Sequence, residues 1–143
     1  MVPTMPLRRK LQFLVLILWA SPWSLVGAFL GLLGLCTGGH WQCRERVWEF
    51  HGGVLAKMLR RVPIAGGAAA ITFGHTILGR TAVDLDRVRM HELVHVAQYE
   101  RWGPAFVPAY LISSIYLILK GRDPYRDNPF EREAFREAEP GST

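Results

Sequence analysis

Apolar and polar positions divide the chain into stretches of different period. Between Lys10 and Arg44 no residue is charged, and Leu11 to Leu35 is almost wholly apolar. A helix over those 25 residues would rise about 37 Å, enough to cross a hydrocarbon layer of about 30 Å with tilt. Ser21, Pro22 and Ser24 interrupt the run. Pro22 removes one backbone hydrogen bond and disfavours helical geometry at Ser21. The stretch therefore reads as one kinked transmembrane helix or as two half-length helices in a re-entrant hairpin.

From His40 to Arg80 the pattern is short and punctuated by glycine. Arg46 to Phe50 alternates and stops at Gly52-Gly53, which marks a brief strand, and Val54 to Arg61 allows a helical turn or two. Ala68 to Leu78 reads as a further strand with Ile71, Phe73, His75 and Ile77 on one face. Two or three such strands predict a small antiparallel sheet. Asp84 is a plausible N-cap for a helix from Leu85 to about Trp102, ended by Gly103-Pro104. Ala105 to Leu119 is apolar but short for a span, and Asn128-Pro129 opens a last helix as N-cap and first helical residue.

Composition narrows the class. At 143 residues, 50% hydrophobic and 20% charged, the chain suits one folded domain and excludes a disordered one; two cysteines exclude a disulfide-dense scaffold. The net charge of +5 is unevenly placed. Residues 1–61 carry eight Lys/Arg against two Glu, and residues 62–143 carry nine against ten acids. Basic residues flanking an uncharged apolar run point to membrane lipid and not to nucleic acid. Arg8, Arg9 and Lys10 before the run are nearly balanced by Arg44 and Arg46 after it, so orientation is undecided; a hairpin would put both flanks on one face. Val26-Gly27-Ala28 is a poor signal-cleavage site, and Leu33-Gly34-Leu35 before Cys36 is a poor lipoprotein box. The expected organisation is a membrane-associated segment at 1–38, a domain at 39–138 and a flexible tail at 139–143.

Candidate chemistry lies on the helix from Leu85. His91-Glu92-Leu93-Val94-His95 has the H-E-x-x-H pattern, in which histidines four apart project from one face and can share a Zn²⁺ ion. Glu92 would then serve as the catalytic base toward water. A third protein ligand is needed, with the fourth position left to water. His91-Glu92-x-x-His95 followed by a helix bearing Glu131-Arg132-Glu133-Ala134 resembles the gluzincin class of metallopeptidases, whose downstream helix carries a Glu-x-x-Ala pattern. That resemblance covers roughly residues 70–138. It implies a zincin-like α+β core, a peptide or protein substrate, and Glu131 as third metal ligand beside His91 and His95. Glu133 is the rival ligand, and Glu131 could instead only close a capping box with Asn128. Phe135 stands where the class often has Asp or Asn. The run His91 to Gln98 extends to H-E-x-x-H-x-x-Q and resembles small bacterial membrane proteins, which implies a bacterial inner membrane.

If Ala105–Leu119 crossed a bilayer, His91/His95 and Glu131 would lie on opposite sides. The segment is therefore expected to be buried against the zinc helix or to lie in the interface. Tyr99, Tyr110, Tyr116, Tyr125 and His75 are candidates by type for stabilising an oxyanion, with amphipathic packing the alternative for the tyrosines and a core role for His75. The strand before the zinc helix offers an edge for an extended peptide. Cys36, His40, Cys43 and His51 form a series that matches no familiar zinc module. The competing functional class is a non-catalytic membrane protein whose zinc is structural or sensory.

Overall fold

The computed structural model describes residues 6–44 and 46–139. The elements in order are α1 (Leu7–Cys36), β1 (His40–Arg44), β2 (Val47–His51), α2 (Gly53–Arg60), β3 (Ala70–Phe73), β4 (Thr76–Gly79), α3 (Ala82–Trp102), a 3₁₀ turn (Gly103–Ala105), α4 (Phe106–Leu119) and α5 (Pro129–Ala138). This is the expected α+β class. Most of the expected tail, 140–143, lies outside the described residues.

The sheet has the order β1-β2-β4-β3 and is mixed, not antiparallel. β1/β2 and β3/β4 are antiparallel hairpins, but the central pair β2/β4 is parallel, with Glu49 opposite Ile77. α2 and the loop after it return the chain before β3, so β4 can run alongside β2. The expected single strand over Ala68–Leu78 is in fact the β3–β4 hairpin. Gly74 breaks it at φ +60°, where a Cβ would lie 2.9 Å from the Ala20 carbonyl. His75 is thereby in the turn and not on a strand face.

α1 is one continuous helix despite Pro22, so the re-entrant hairpin is not formed. Proline leaves the carbonyl four residues earlier without its N–H donor. Here that carbonyl is Leu18's, and the Ser21 hydroxyl donates to it at 2.7 Å. Residues Ala20, Gly27, Gly31 and Gly34 form the buried stripe of α1. A Cβ at Gly27 would come within 2.8 Å of Phe73 and Thr76, and one at Gly34 within 2.6 Å of Leu55. Glycine there lets the helix lie directly on the sheet.

α1 and α2 cover one face of the sheet through Phe50, Leu55 and Leu78; α3 covers the other through Val47, Ile77, Leu85 and Val96. On that second face the fully buried Glu49 accepts Arg89 Nε at 2.7 Å and Nη2 at 2.9 Å. This pair pins the rotation of α3 over the sheet. α3 begins one turn earlier than expected: Thr81 is the N-cap, accepting from the Asp84 N–H at 3.0 Å, and Asp84 sits inside the first turn. Gly103, at φ +54°, ends α3.

α4 meets α3 at its start, where the Phe106 ring lies 4.4 Å from that of Tyr99, and is not buried against α3 along its length. Its inward edge is Phe106, Tyr110, Ser114 and Leu117, while Leu111, Ile112, Ile115, Ile118 and Leu119 are all more than half exposed. Two helical stretches, Leu7–Cys36 and Ala82–Leu119, are long and apolar enough to cross a membrane.

Candidate metal centre

α3 and α5 build the centre together. On α3, residues 91, 95, 98 and 102 recur at intervals of three and four, forming a stripe turned away from the sheet and toward α5. α5 is set by Asn128, which is fully buried. Its Oδ1 accepts from the Phe130 N–H at 3.0 Å, and its Nδ2 donates to Ser114 Oγ at 2.8 Å and to the Tyr110 carbonyl at 3.2 Å. Asn128 thus serves as N-cap and as the tie between α4 and α5. Pro129 follows at the first helical position.

These elements bring His91, His95 and Glu131 together, the group among the described residues whose donor atoms could hold a metal ion. His91 Nε2 is 3.0 Å from Glu131 Oε2, His95 Nε2 is 3.4 Å from Glu131 Oε1, and the two Nε2 atoms are 3.2 Å apart. Tetrahedral zinc with bonds of about 2.0–2.1 Å needs donors separated by about 3.3 Å. The 3.0, 3.2 and 3.4 Å separations are of that order, with each imidazole meeting its own oxygen of the Glu131 carboxylate. Two imidazole nitrogens turned toward each other beside a carboxylate are only partly satisfied by protons; a divalent cation satisfies all three.

The chain also prepares each ligand. The Gln98 carbonyl oxygen lies 2.8 Å from His95 Nδ1. Gln98 Nε2 donates to the Phe130 carbonyl at 3.0 Å and to Glu133 at 2.7 Å, so the amide can only accept from His95. A proton is thereby held on Nδ1, so Nε2 is the nitrogen that would meet a metal. Tyr110 donates to Glu131 Oε1 at 2.7 Å. Burial alone would push the Glu131 carboxyl up, but hydrogen bonds from His91, His95 and Tyr110 hold it at about 2.

Other candidates from the sequence also have a place. Glu131 faces the histidines, and the Asn128 N–H bonds the Tyr125 carbonyl, so Glu131 does not close a capping box. Glu133 is not a ligand: it accepts from Arg101 at 2.6 Å and from Gln98, and the Arg101 guanidinium holds its carboxyl below the usual range. Glu92 is buried on the side of α3 facing β3, where its Oε2 accepts from Thr72 Oγ1 at 2.6 Å. Phe135 packs its ring 4.6 Å from that of His91. Tyr99 is tied to the Thr72 carbonyl at 3.0 Å, so that point of the β3 edge is already filled by the protein. His75 pairs with Glu100 at 2.9 Å.

Sequence reasoning missed the roles of Tyr110, Thr72 and Gln98. Only Gln98 left a local signal, three residues after His95 on the ligand face. The Cys36/His40/Cys43/His51 series forms no metal cluster among the described residues; both cysteines are free and exposed, and the two histidine rings stack at 5.4 Å. Comparison with family models, curated proteins and solved structures finds no match to the chain.

Proposed function

We propose that this is a membrane-associated, zinc-dependent hydrolase of peptide bonds with a gluzincin-like arrangement: His91, His95 and Glu131 hold Zn²⁺ and Glu92 is the base. The observation that supports the reading is the cluster of His91, His95 and Glu131, whose ligand atoms lie within 4.8 Å of one another, three protein ligands with none beyond them among the described residues. A structural zinc site is normally closed by four protein ligands, a catalytic one by three. When bound, zinc lowers the pKa of water and polarises a carbonyl. Gln98 and Tyr110 hold the ligands in place, and Glu92, whose carboxylate accepts from Thr72 on the β3 side of α3, would take the proton from water.

A second reading rests on burial. The ligand side chains are only 11%, 9% and 5% exposed, which also suits a metal that ties α3 to α5 and performs no chemistry. One experiment separates the two. Zinc content and cleavage of a fluorogenic peptide library are measured for the wild type and Glu92→Gln. The hydrolase reading expects one zinc per chain in both and a loss of turnover of at least about 100-fold in the variant. Wild-type protein that carries zinc and cleaves nothing supports the structural reading.

A further inference from the structure

Both apolar helices are inside-out. The inner stripe of α1 is small residues, whereas Leu7, Leu11, Leu14, Val15, Leu18, Leu25, Phe29 and Leu32 on its outer side are each more than half exposed. α4 repeats this, turning Tyr110 and Ser114 inward and leucine and isoleucine outward. Contiguous apolar surface of this extent marks a partner or a lipid phase.

The packing of α1 decides how lipid can meet it. Near its start, the Arg46 guanidinium lies 4.4 Å over the Phe13 ring. At mid-helix, Ser24 Oγ accepts from the His75 N–H at 2.9 Å, in the turn whose imidazole pairs with Glu100. Trp23 donates to the Pro104 carbonyl at 3.2 Å. At its end, the Gly34 carbonyl accepts from the Gly39 N–H at 2.9 Å. A cleft of about 500 Å³ along α1 is walled by Arg9, Gln12, Arg46 and Glu100 as well as Phe13 and Leu16. The folded domain thus runs beside α1 from Phe13 to Gly34, about 32 Å of helix.

Were α1 to cross a bilayer, charged groups and two irregular turns would lie at hydrocarbon depth beside it, where ions and irregular backbone are expensive. α4, with 14 residues, rises only about 21 Å and is too short to cross. Its following loop must also return Glu131 to the histidines.

We infer that α1 lies in the plane of the membrane, its leucine-rich outer side sunk into one leaflet and the domain resting on its glycine stripe. The occupant of that face is an anionic lipid surface. Arg8, Arg9 and Lys10 open α1, and Arg46 folds back over Phe13 beside them, so that end of a helix lying flat presents a cluster of basic residues to the headgroups. This placement of α1 deepens the membrane association proposed above and is independent of the zinc chemistry.

Spin labels test the inference. Single cysteines are placed at Leu11, Leu18, Leu25 and Leu32, one surface stripe, in full-length protein carrying Cys36→Ser and Cys43→Ser. The protein is bound to vesicles of phosphatidylcholine and phosphatidylglycerol, and label depth is read by oxygen and nickel accessibility. An in-plane helix gives four equal depths, about 5–10 Å below the headgroups. A profile shallow at Leu11 and Leu32 and deepest between Leu18 and Leu25 means a span and overturns the inference. Labels that ignore lipid and broaden one another mean a face shared by two copies, which also overturns it. Arg8, Arg9 and Lys10 changed together to Gln should weaken binding to the anionic vesicles roughly 100-fold, with neutral vesicles unaffected. Zinc content of each labelled protein is measured in parallel, so a lost fold or metal site is told apart from a wrong topology.

Discussion

The molecule holds two histidine pairs at nearly the same ring separation, and only one resembles a metal site. His91 and His95 stand 4.9 Å apart with planes at 77°; His40 and His51, facing each other across β1 and β2, stand 5.4 Å apart at 18°. Lone pairs lie in the plane of an imidazole ring. Nearly parallel rings therefore send them along parallel planes, while edge-on rings can aim them at one point. The first pair has a buried carboxylate across from it and a glutamine that fixes one tautomer. The second is at an exposed sheet edge. Proximity of imidazoles is thus a weak criterion, and convergence with a prepared third donor is the stronger one.

The sharpest way to break this contrast is to remove donors from each side. Glu131→Ala and His95→Ala should each lower zinc affinity by more than about 100-fold, exceeding the loss usual for groups that only orient a ligand. His40→Ala and His51→Ala should leave one zinc per chain. Metal analysis of the four purified variants checks it; zinc lost from the β1–β2 variants would sink the comparison. Next in size is removal of the metal itself. Because a metal held by His91, His95 and Glu131 would join α3 to α5, chelation should lower the melting temperature by about 10 °C or more, and no shift should follow in Glu131→Ala. Gln98→Leu comes third, with zinc affinity down about 10–100-fold through loss of the Nδ1 acceptor, read by competition with a chromophoric chelator.

How far these groups could be read in advance depended on how local their determinants are. α3 and α5 were legible because their period and the Asn128-Pro129 start are written within a few residues, although the cap of α3 is Thr81 and not the expected Asp84. Glu131 was reachable by resemblance, yet its separation from Glu133 needed Arg101 and Gln98, which draw Glu133 away. Tyr110 and Thr72 reach the centre from α4 and β3, and no spacing relates them to His91. The parallel β2/β4 pairing is equally non-local. α1 was legible as one long apolar helix, and Gly27, Gly31 and Gly34 already marked the face that packs closely on the sheet.

The smallest effect sharpens the contrast from the other side, by asking the second pair to respond to protons where the first responds to metal. Burial lowers the pKa of His51, and the neighbouring charge of His40 lowers it further. A histidine with a depressed folded pKa binds protons more readily when unfolded. Its contribution to stability is therefore intact at high pH, declines as pH falls through about 6.5, and stops changing below the folded pKa. Thermal unfolding of the chelated protein between pH 8 and pH 5, compared with His51→Gln, isolates this slope from the titration of the metal ligands. The wild type should lose slightly more stability than the variant over that interval. A variant with an equal or steeper fall would mean that burial and the neighbouring His40 do not hold His51 below its ordinary pKa at this edge of the sheet.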